Sequence, residues 1–305
     1  MVGKGGQYVW FDGKFVDLGK ANVPVLTHSL QYGSGIFEGI RAYETEGNVA
    51  IFRLQDHIKR FLNSAKICNM KLDFSSEELF SAVKEVVKKN KLKSCYIRPF
   101  AFYNDASIGL DTSGKRISVV IAAVAFGKYF KNTDSGLKCN VSGWRRITPS
   151  IMPTEAKASG NYVNSILAST DAKNQGADEA ILLSQGGFVA EGPAENIFLV
   201  EDGELVTPSK EADILFGITR DSVIKMARGM KIGVEEREIH REELYTCDEA
   251  FFTGTAAEIT PIISVDSKKI GNGKVGPITK RINERYGEIV HGKAREYRSW
   301  LTHVY

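Results

Sequence analysis

The chain alternates between stretches where apolar residues recur at every second position and stretches where they recur at every third or fourth. "YVWFDGKFV" (Tyr8–Val16) carries β-rich arms around Asp12-Gly13, a hairpin signature. In "QDHIKRFLNSAKIC", Ile58, Phe61, Leu62 and Ala65 share one helical stripe. Ser75 and Glu78 fit an S-x-x-E capping box at the head of "SSEELFSAVKEVVKKN", a second amphipathic helix. "SCYIRPFAFY" and "RISVVIAAVAF" read as strands. Residues 1–126 thus predict a small N-terminal domain, a sheet with helices packed on it.

"GKYFKNTDSG", residues 127–136, is polar and bounded by glycines, and reads as an interdomain linker. Beyond it, "LKCNVSGW", "EAILLS", "FVAEG" and "NIFLV" are strand-like, and "EDGEL" is another hairpin. A helix runs from Asn161 to about Asn174 and is stopped by Gly176. "GITRDSVIKMARGMKIG" and "ITKRINERYGEIV" are helical, and "EAFFTGTAAEITPIISV" is strand, glycine loop, strand. Residues 137–305 therefore form a second, larger domain. Hairpins mixed with helices favour two α+β domains over a regular alternating parallel barrel.

Composition narrows the function classes. With 305 residues, 43% hydrophobic and 25% charged, a sizeable core is expected. The net charge of +3 is spread along the chain, which argues against a nucleic-acid surface. The most basic stretch, "KEVVKKNKLK", reads as the solvated face of a helix. Cys68, Cys95, Cys139 and Cys247 lack CxxC spacing and read as reduced core residues of a cytoplasmic protein. The five histidines form no HxxxH pair, so no metal site is expected. The longest apolar run, "VVIAAVAF", is eight residues, too short for a membrane span, and the N-terminus carries no signal-peptide run.

Several short motifs carry candidate chemistry. "GLDTSGKR" nearly matches a P-loop. However, Arg116 replaces the magnesium-binding hydroxyl and a strand follows where a helix is required, so it is set aside. In "PTEAKASGNY", Lys157 sits among residues too small to shield or pair it. A desolvated amine in a small-residue pocket suits imine formation with a carbonyl; on this stretch alone a solvated loop lysine is the plainer reading. Glu191 and Glu195 flank Gly192-Pro193 at a strand end, as an acid holding a protonated pyridine nitrogen would, or as two loop glutamates would. Gly217-Ile218-Thr219 opens a helix whose first amides can bind phosphate, or it is an ordinary cap. "TGTAA", Thr253 to Ala257, offers loop amides for phosphate or carboxylate, or a tight turn. Tyr32, Phe37, Gly39, Arg41, Tyr96, Arg98, Phe126 and Tyr129 add aromatics with a few arginines. Together, an imine-forming lysine, a pyridinium partner, a phosphate cradle and a carboxylate pocket are the parts a pyridoxal phosphate enzyme needs.

With these residues in order, the sequence resembles the branched-chain amino-acid aminotransferases of fold-type IV over nearly its whole length. "YGSGIFEGIR", "YIRP" and "GTAAEITP" are the most specific motifs. The resemblance implies a small N-terminal α/β domain and a larger pseudo-barrel domain binding pyridoxal 5′-phosphate. It implies Lys157 as the imine-forming residue and proton carrier, Tyr162 at the cofactor O3′, and Glu191 at the pyridine nitrogen. Arg60, Glu195, Ile218, Thr219 and Thr255 would complete the cofactor site. Tyr96 with the Thr255, Ala256 and Ala257 amides would hold the substrate α-carboxylate. Tyr32, Phe37, Gly39, Arg41, Phe126, Tyr129 and Tyr162 would line the side-chain pocket, and Arg98 would receive the distal carboxylate of glutamate. Phe126 stands where a tryptophan is often found. The resemblance further implies branched-chain L-amino acids, L-glutamate and their 2-oxo acids as substrates, and a homodimer or higher oligomer. A fold-type IV lyase, a D-amino-acid transaminase, a pyridoxal-independent Schiff-base aldolase and a non-catalytic binding module are the alternatives.

Overall fold

The computed structural model describes residues 6–127, 129–130 and 135–305, so half of the expected linker, residues 128 and 131–134, lies outside the described residues. The elements run β1 (Tyr8–Phe11), β2 (Lys14–Asp17), α1 (His28–Tyr32), β3 (Gly35–Phe37), β4 (Ile40–Thr45), β5 (Asn48–Phe52), α2 (Leu54–Ile67), α3 (Ser76–Lys89), β6 (Cys95–Tyr103) and β7 (Ile117–Ala125). They continue with β8 (Leu137–Arg145), α4 (Tyr162–Asn174), β9 (Glu179–Leu183), β10 (Val189–Glu191), β11 (Asn196–Glu201), β12 (Glu204–Pro208), α5 (Ile218–Gly229), β13 (Val234–Arg237), α6 (Glu243–Thr246), β14 (Glu249–Gly254), β15 (Glu258–Val265), β16 (Lys268–Lys269), α7 (Pro277–Val290) and β17 (Leu301–His303).

The chain divides into two compact units. The first holds Met1–Gly127, Ala156–Gly160 and Glu288–Tyr305; the second holds Lys128–Glu155 and Asn161–Gly287. The first unit's N-terminal stretch ends at Gly127. The short lysine segment and the C-terminal stretch, both expected in residues 137–305, pack with the first unit because each pairs with its strands.

The first unit is an antiparallel sheet in the order β17-β5-β4-β6-β7-β1-β2, with β3 also on β6. The β1–β2 hairpin turns at Asp12 (φ 46°) and Gly13 (φ 87°), the consecutive positive φ values a two-residue hairpin of the primed type needs. The capping box at Ser75 and Glu78 is formed in both directions. On α2, Ile58, Phe61 and Ala65 are buried against Ile36, Ile40, Ile51, Ile97 and Ile121. Burying Ile58 and Phe61 is worth roughly 1.5–3 kcal/mol each, which fixes the helix on the sheet. The strand after "GLDTSGKR" is β7, so that near-match to a P-loop opens no helix.

The second unit is a sheet in the order β10-β9-β8-β15-β14-β11-β12-β13, in which β10 also pairs with β11. That last pairing closes β10, β9, β8, β15, β14 and β11 into a barrel. Most pairs are antiparallel, but β8–β9, β8–β15 and β12–β13 are parallel. One row of the barrel places Glu191 beside Asn196, and Asn196 beside Thr253. Among the described residues no helix is long and apolar enough to cross a membrane, and no group of three or more His, Cys, Asp and Glu side chains could hold a metal ion.

Candidate active site

Lys157 lies in the short segment that crosses the first unit. Its amide donates to Ser64 Oγ on α2 at 3.0 Å, and its carbonyl accepts from the Phe37 N–H at 3.0 Å. Ala158 makes a β-bridge with Ile36, and both Ala156 and Ala158 are buried. The small neighbours are therefore what allows the segment to lie flat between β3 and α2; larger side chains would lift it off.

Lys157 as a residue is half-buried, but its ammonium is buried. Its Nζ is 4.9 Å from the Phe37 ring centroid. Burial of the ammonium is the main cause that lowers its pKa from 10.5 to about 8. The Arg60 cation adds to the drop, while Glu38 and Tyr96 oppose it and Arg98 again lowers it.

Around this amine the first unit alternates cations and rings. The Arg98 guanidinium is 4.5 Å from the same Phe37 ring and donates to the Tyr96 hydroxyl at 2.9 Å. Tyr96 packs on Phe126 at 5.2 Å, and the Arg41 guanidinium lies 5.3 Å from Phe126 and 5.0 Å from Tyr43. Gly39 matters here by lacking a side chain: a Cβ at that position would stand 2.0 Å from the Tyr96 hydroxyl. Arg60 grips Glu38 through Nε at 2.6 Å and Nη2 at 2.9 Å. Tyr32 is grouped differently. It packs on His28 at 4.7 Å and accepts from the Gly109 amide at 3.2 Å.

The second unit assembles its own set. Glu191 is 6% exposed. It is ion-paired to Arg146 Nε at 2.6 Å, takes a hydrogen bond from Asn196 Nδ2 at 2.9 Å, and faces the Leu215 amide at 3.2–3.3 Å. Asn196 also donates to the Leu215 carbonyl at 2.9 Å. Gly217 caps α5 without any side-chain cap, and a Cβ there would stand 2.0 Å from Asn196 Oδ1. Ile218 and Thr219, both buried, therefore open their helix directly beside the support of Glu191. Thr253, 1% exposed, has a hydroxyl with no hydrogen-bond partner among the described residues; Thr255 and Ala256 follow it, half-buried, and Ala257 is buried. Glu195 is buried but turned onto its own loop, where Oε2 accepts from the Ala194 amide at 3.1 Å. Tyr162, half-buried, is the first residue of α4. Tyr129 is exposed and packs edge-on against Phe130 at 4.7 Å.

Sequence reasoning missed the supporting residues Glu38, His57, Ser64, Arg146 and Asn196. A signal existed for two of them, because His57 and Ser64 recur with the expected Arg60 at i, i+7 and i+3 as a polar stripe on an otherwise amphipathic helix. Arg146 and Asn196 carried no local signal, since strand pairing alone brings Asn196 beside Glu191.

Residues 35–265 match the family described as Amino-transferase class IV. A branched-chain-amino-acid aminotransferase of Pseudomonas aeruginosa is 44% identical over 298 residues, covering 97% of each chain. Among solved structures, the branched-chain aminotransferase of the archaeon Thermoproteus uzoniensis with norvaline superposes with a TM-score of 0.94 at 50% identity, covering 98% of this chain and 99% of that one. The branched-chain amino acid aminotransferase of Thermobaculum terrenum in its PLP form gives 0.93 at 36% identity, covering 99% of each.

Proposed function

The chain belongs to the class IV amino-transferases, and from that premise we propose that it is a branched-chain aminotransferase. It moves the amino group between L-leucine, L-isoleucine or L-valine and 2-oxoglutarate, with pyridoxal 5′-phosphate as cofactor. The observation that carries this reading is a lysine whose amine is held near neutrality, pKa about 8, against an aromatic wall that also holds an arginine.

The donor set fits the cofactor. Glu191, ion-paired to Arg146, suits a protonated ring nitrogen. The amides of Ile218 and Thr219 at the uncapped head of α5, with Thr255 and Arg60, suit a phosphate. Tyr162 is assigned to the ring hydroxyl, and Glu195 to outer support of the cofactor loop. When bound, pyridoxal phosphate supplies an aldehyde carbon and an electron-accepting ring.

The protein's own residues then divide the work. Lys157 would hold the cofactor's aldehyde carbon through its amine and, once displaced from it by the substrate's amino group, would as a neutral amine take the proton from substrate Cα and return it. Tyr96 and the amides of Thr255, Ala256 and Ala257 hold the α-carboxylate. Phe37, Phe126, Tyr32, Tyr129 and Tyr162 exclude water from an aliphatic side chain, with Gly39 leaving room for it. Arg98 presents planar donors to glutamate's distal carboxylate without breaking the apolar wall, because guanidinium stacks on rings, and Arg41 lines the side-chain pocket.

A homodimer and a cytoplasmic location complete the proposal. Val25, Leu26, Leu30, Ile108 and Leu110 of the first unit are exposed, and on α4 so are Val163, Ile166 and Leu167. Apolar surface on this scale favours association. Sedimentation showing a monomer would remove the dimer from the proposal. For the activity, purified protein with pyridoxal phosphate is mixed with L-leucine and 2-oxoglutarate; formation of L-glutamate is expected. Turnover with D-amino acids only would replace this reading by a transaminase of the other hand, and absence of any amino transfer between L-leucine and 2-oxoglutarate would favour a lyase.

A further inference from the structure

Glu38 is fully buried in the turn between β3 and β4. Four donors converge on its carboxylate. Arg60 Nε reaches Oε1 at 2.6 Å, while Arg60 Nη2 (2.9 Å), His57 Nδ1 (2.8 Å) and the Gly39 amide (3.1 Å) reach Oε2. His57, Arg60 and Ser64 lie along one face of α2, and Ser64 receives the Lys157 amide. One helix face thus holds both the buried carboxylate and the backbone of the reactive lysine. A buried carboxylate with no task is costly, and a bidentate arginine pair is the geometry that sustains one.

Resting on the functional reading above, we infer that Glu38 is a positioning residue of the transamination. It locks the Arg60 guanidinium in its bidentate fork and supplies the negative charge against which the Lys157 nitrogen is balanced. His57 braces the carboxylate from the side of Oε2.

The charges around Lys157 explain why the balance matters. Arg60 and Arg98 disfavour a cation at its nitrogen, and Glu38 and Tyr96 favour one. His57 also faces this group; burial pushes its own pKa down, against the pull of Glu38. Burial alone would raise Glu38, but Arg60 and His57 outweigh it and hold the carboxyl well below the usual range, so its charge persists across the working pH. Removing that charge leaves the Arg60 cation uncompensated beside the lysine. A nitrogen there then loses its proton at lower pH, and the loosened guanidinium holds phosphate less well.

The test uses the cofactor-loaded protein. The absorbance band of bound pyridoxal phosphate is titrated with pH, and the dissociation constant of pyridoxal phosphate is measured by dialysis, for wild type, Glu38→Gln and Glu38→Asp. In Glu38→Gln the midpoint of the band is expected to fall by about one to three pH units. Its cofactor affinity is expected to weaken at least about tenfold. Glu38→Asp keeps the charge but retracts it, so its midpoint returns to near that of wild type while its affinity stays weakened. Folded Glu38→Gln protein with the wild-type midpoint and affinity overturns the inference, whatever its melting temperature. If Glu38→Gln does not fold, wild-type affinity in Glu38→Asp overturns it. These failures leave the proposed function standing; a wild-type protein that takes up no pyridoxal phosphate overturns that function as well.

Discussion

The Lys157 ammonium and the Arg98 guanidinium stand against one ring, that of Phe37, at 4.9 and 4.5 Å from its centroid. One ring thus has an amine and a guanidinium within 4.9 Å of its centroid, and these are the groups proposed above as the proton carrier and the fork for a distal carboxylate. A pocket built this way accepts an aliphatic side chain along the ring or a carboxylate at the fork.

The fork makes the two halves of the reaction separable. Arg98→Ala should cost the glutamate half-reaction at least about tenfold in kcat/KM, the scale of one charge-assisted carboxylate contact, while leucine changes by less than about threefold. Arg98→Lys should not rescue it, because an ammonium neither donates in parallel nor stacks. Single-turnover bleaching of the cofactor band with each amino acid measures both. Equal loss for leucine and glutamate would show that Arg98 serves the pocket generally.

Holding Lys157 near neutrality costs stability. Its folded pKa of about 8 lies below the unfolded 10.5, so between these values the unfolded chain binds more protons. Cofactor-free protein should therefore gain stability as pH rises through that window, and the lysine's penalty is fully present below pH 8. Lys157→Met should raise the melting temperature of the cofactor-free protein at pH 7 by on the order of 2 °C or more. The gain should shrink toward pH 10.5. The same variant should abolish transamination, by at least about 10³-fold. A melting temperature that the substitution lowers at pH 7 contradicts this account.

Gly39 tests the pocket sterically. The Cβ of Gly39→Ala would sit 2.0 Å from the Tyr96 hydroxyl, and that hydroxyl is held by Arg98 at 2.9 Å. The tyrosine must move, at a cost of roughly 1–3 kcal/mol for an overpacked site. KM for all amino acids should rise about tenfold or more, since Tyr96 is assigned to the α-carboxylate common to them. The effect should appear in substrate titrations of the cofactor band. An unchanged KM would place that carboxylate elsewhere.

Local pattern made much of this molecule readable in advance. The hairpins at Asp12-Gly13 and Asp202-Gly203, the Ser75–Glu78 box and the α2 stripe follow from turn chemistry and periodicity, which need only neighbours in sequence. β3, β4 and β5 did not stand out, because "GIFEGIRAYETEGNVAIF" mixes glycines and charges with apolar residues. The C-terminal strand β17 was hidden too, since its only warrant is a partner, β5, about 250 residues earlier in the chain. At the proposed site, Lys157 and Glu191 became candidates only in company with the other motifs, since each alone read more plainly as a loop residue. Their supports were not even candidates: Glu38 looked like any glutamate in a glycine-rich stretch until the fold set α2 against it.

The buried pair of Arg146 and Glu191 extends the same reasoning to the second unit. Both side chains are less than a tenth exposed, and Nε and Oε1 are 2.6 Å apart. Removing one member strands the other charge, so Arg146→Met should destabilise the protein by about 3–5 kcal/mol. It should also alter the cofactor. Without its cation, Glu191 loses the ion pair that fixes its carboxylate, so the cofactor band should shift and kcat should fall at least about tenfold. The double variant Arg146→Met with Glu191→Gln removes both charges together and should recover stability toward that of wild type while leaving kcat low. Thermal unfolding and the cofactor spectrum of the three variants decide it. If Arg146→Met unfolds like wild type, the pair is not the anchor of the carboxylate, and Asn196 with the Leu215 amide carries that task alone.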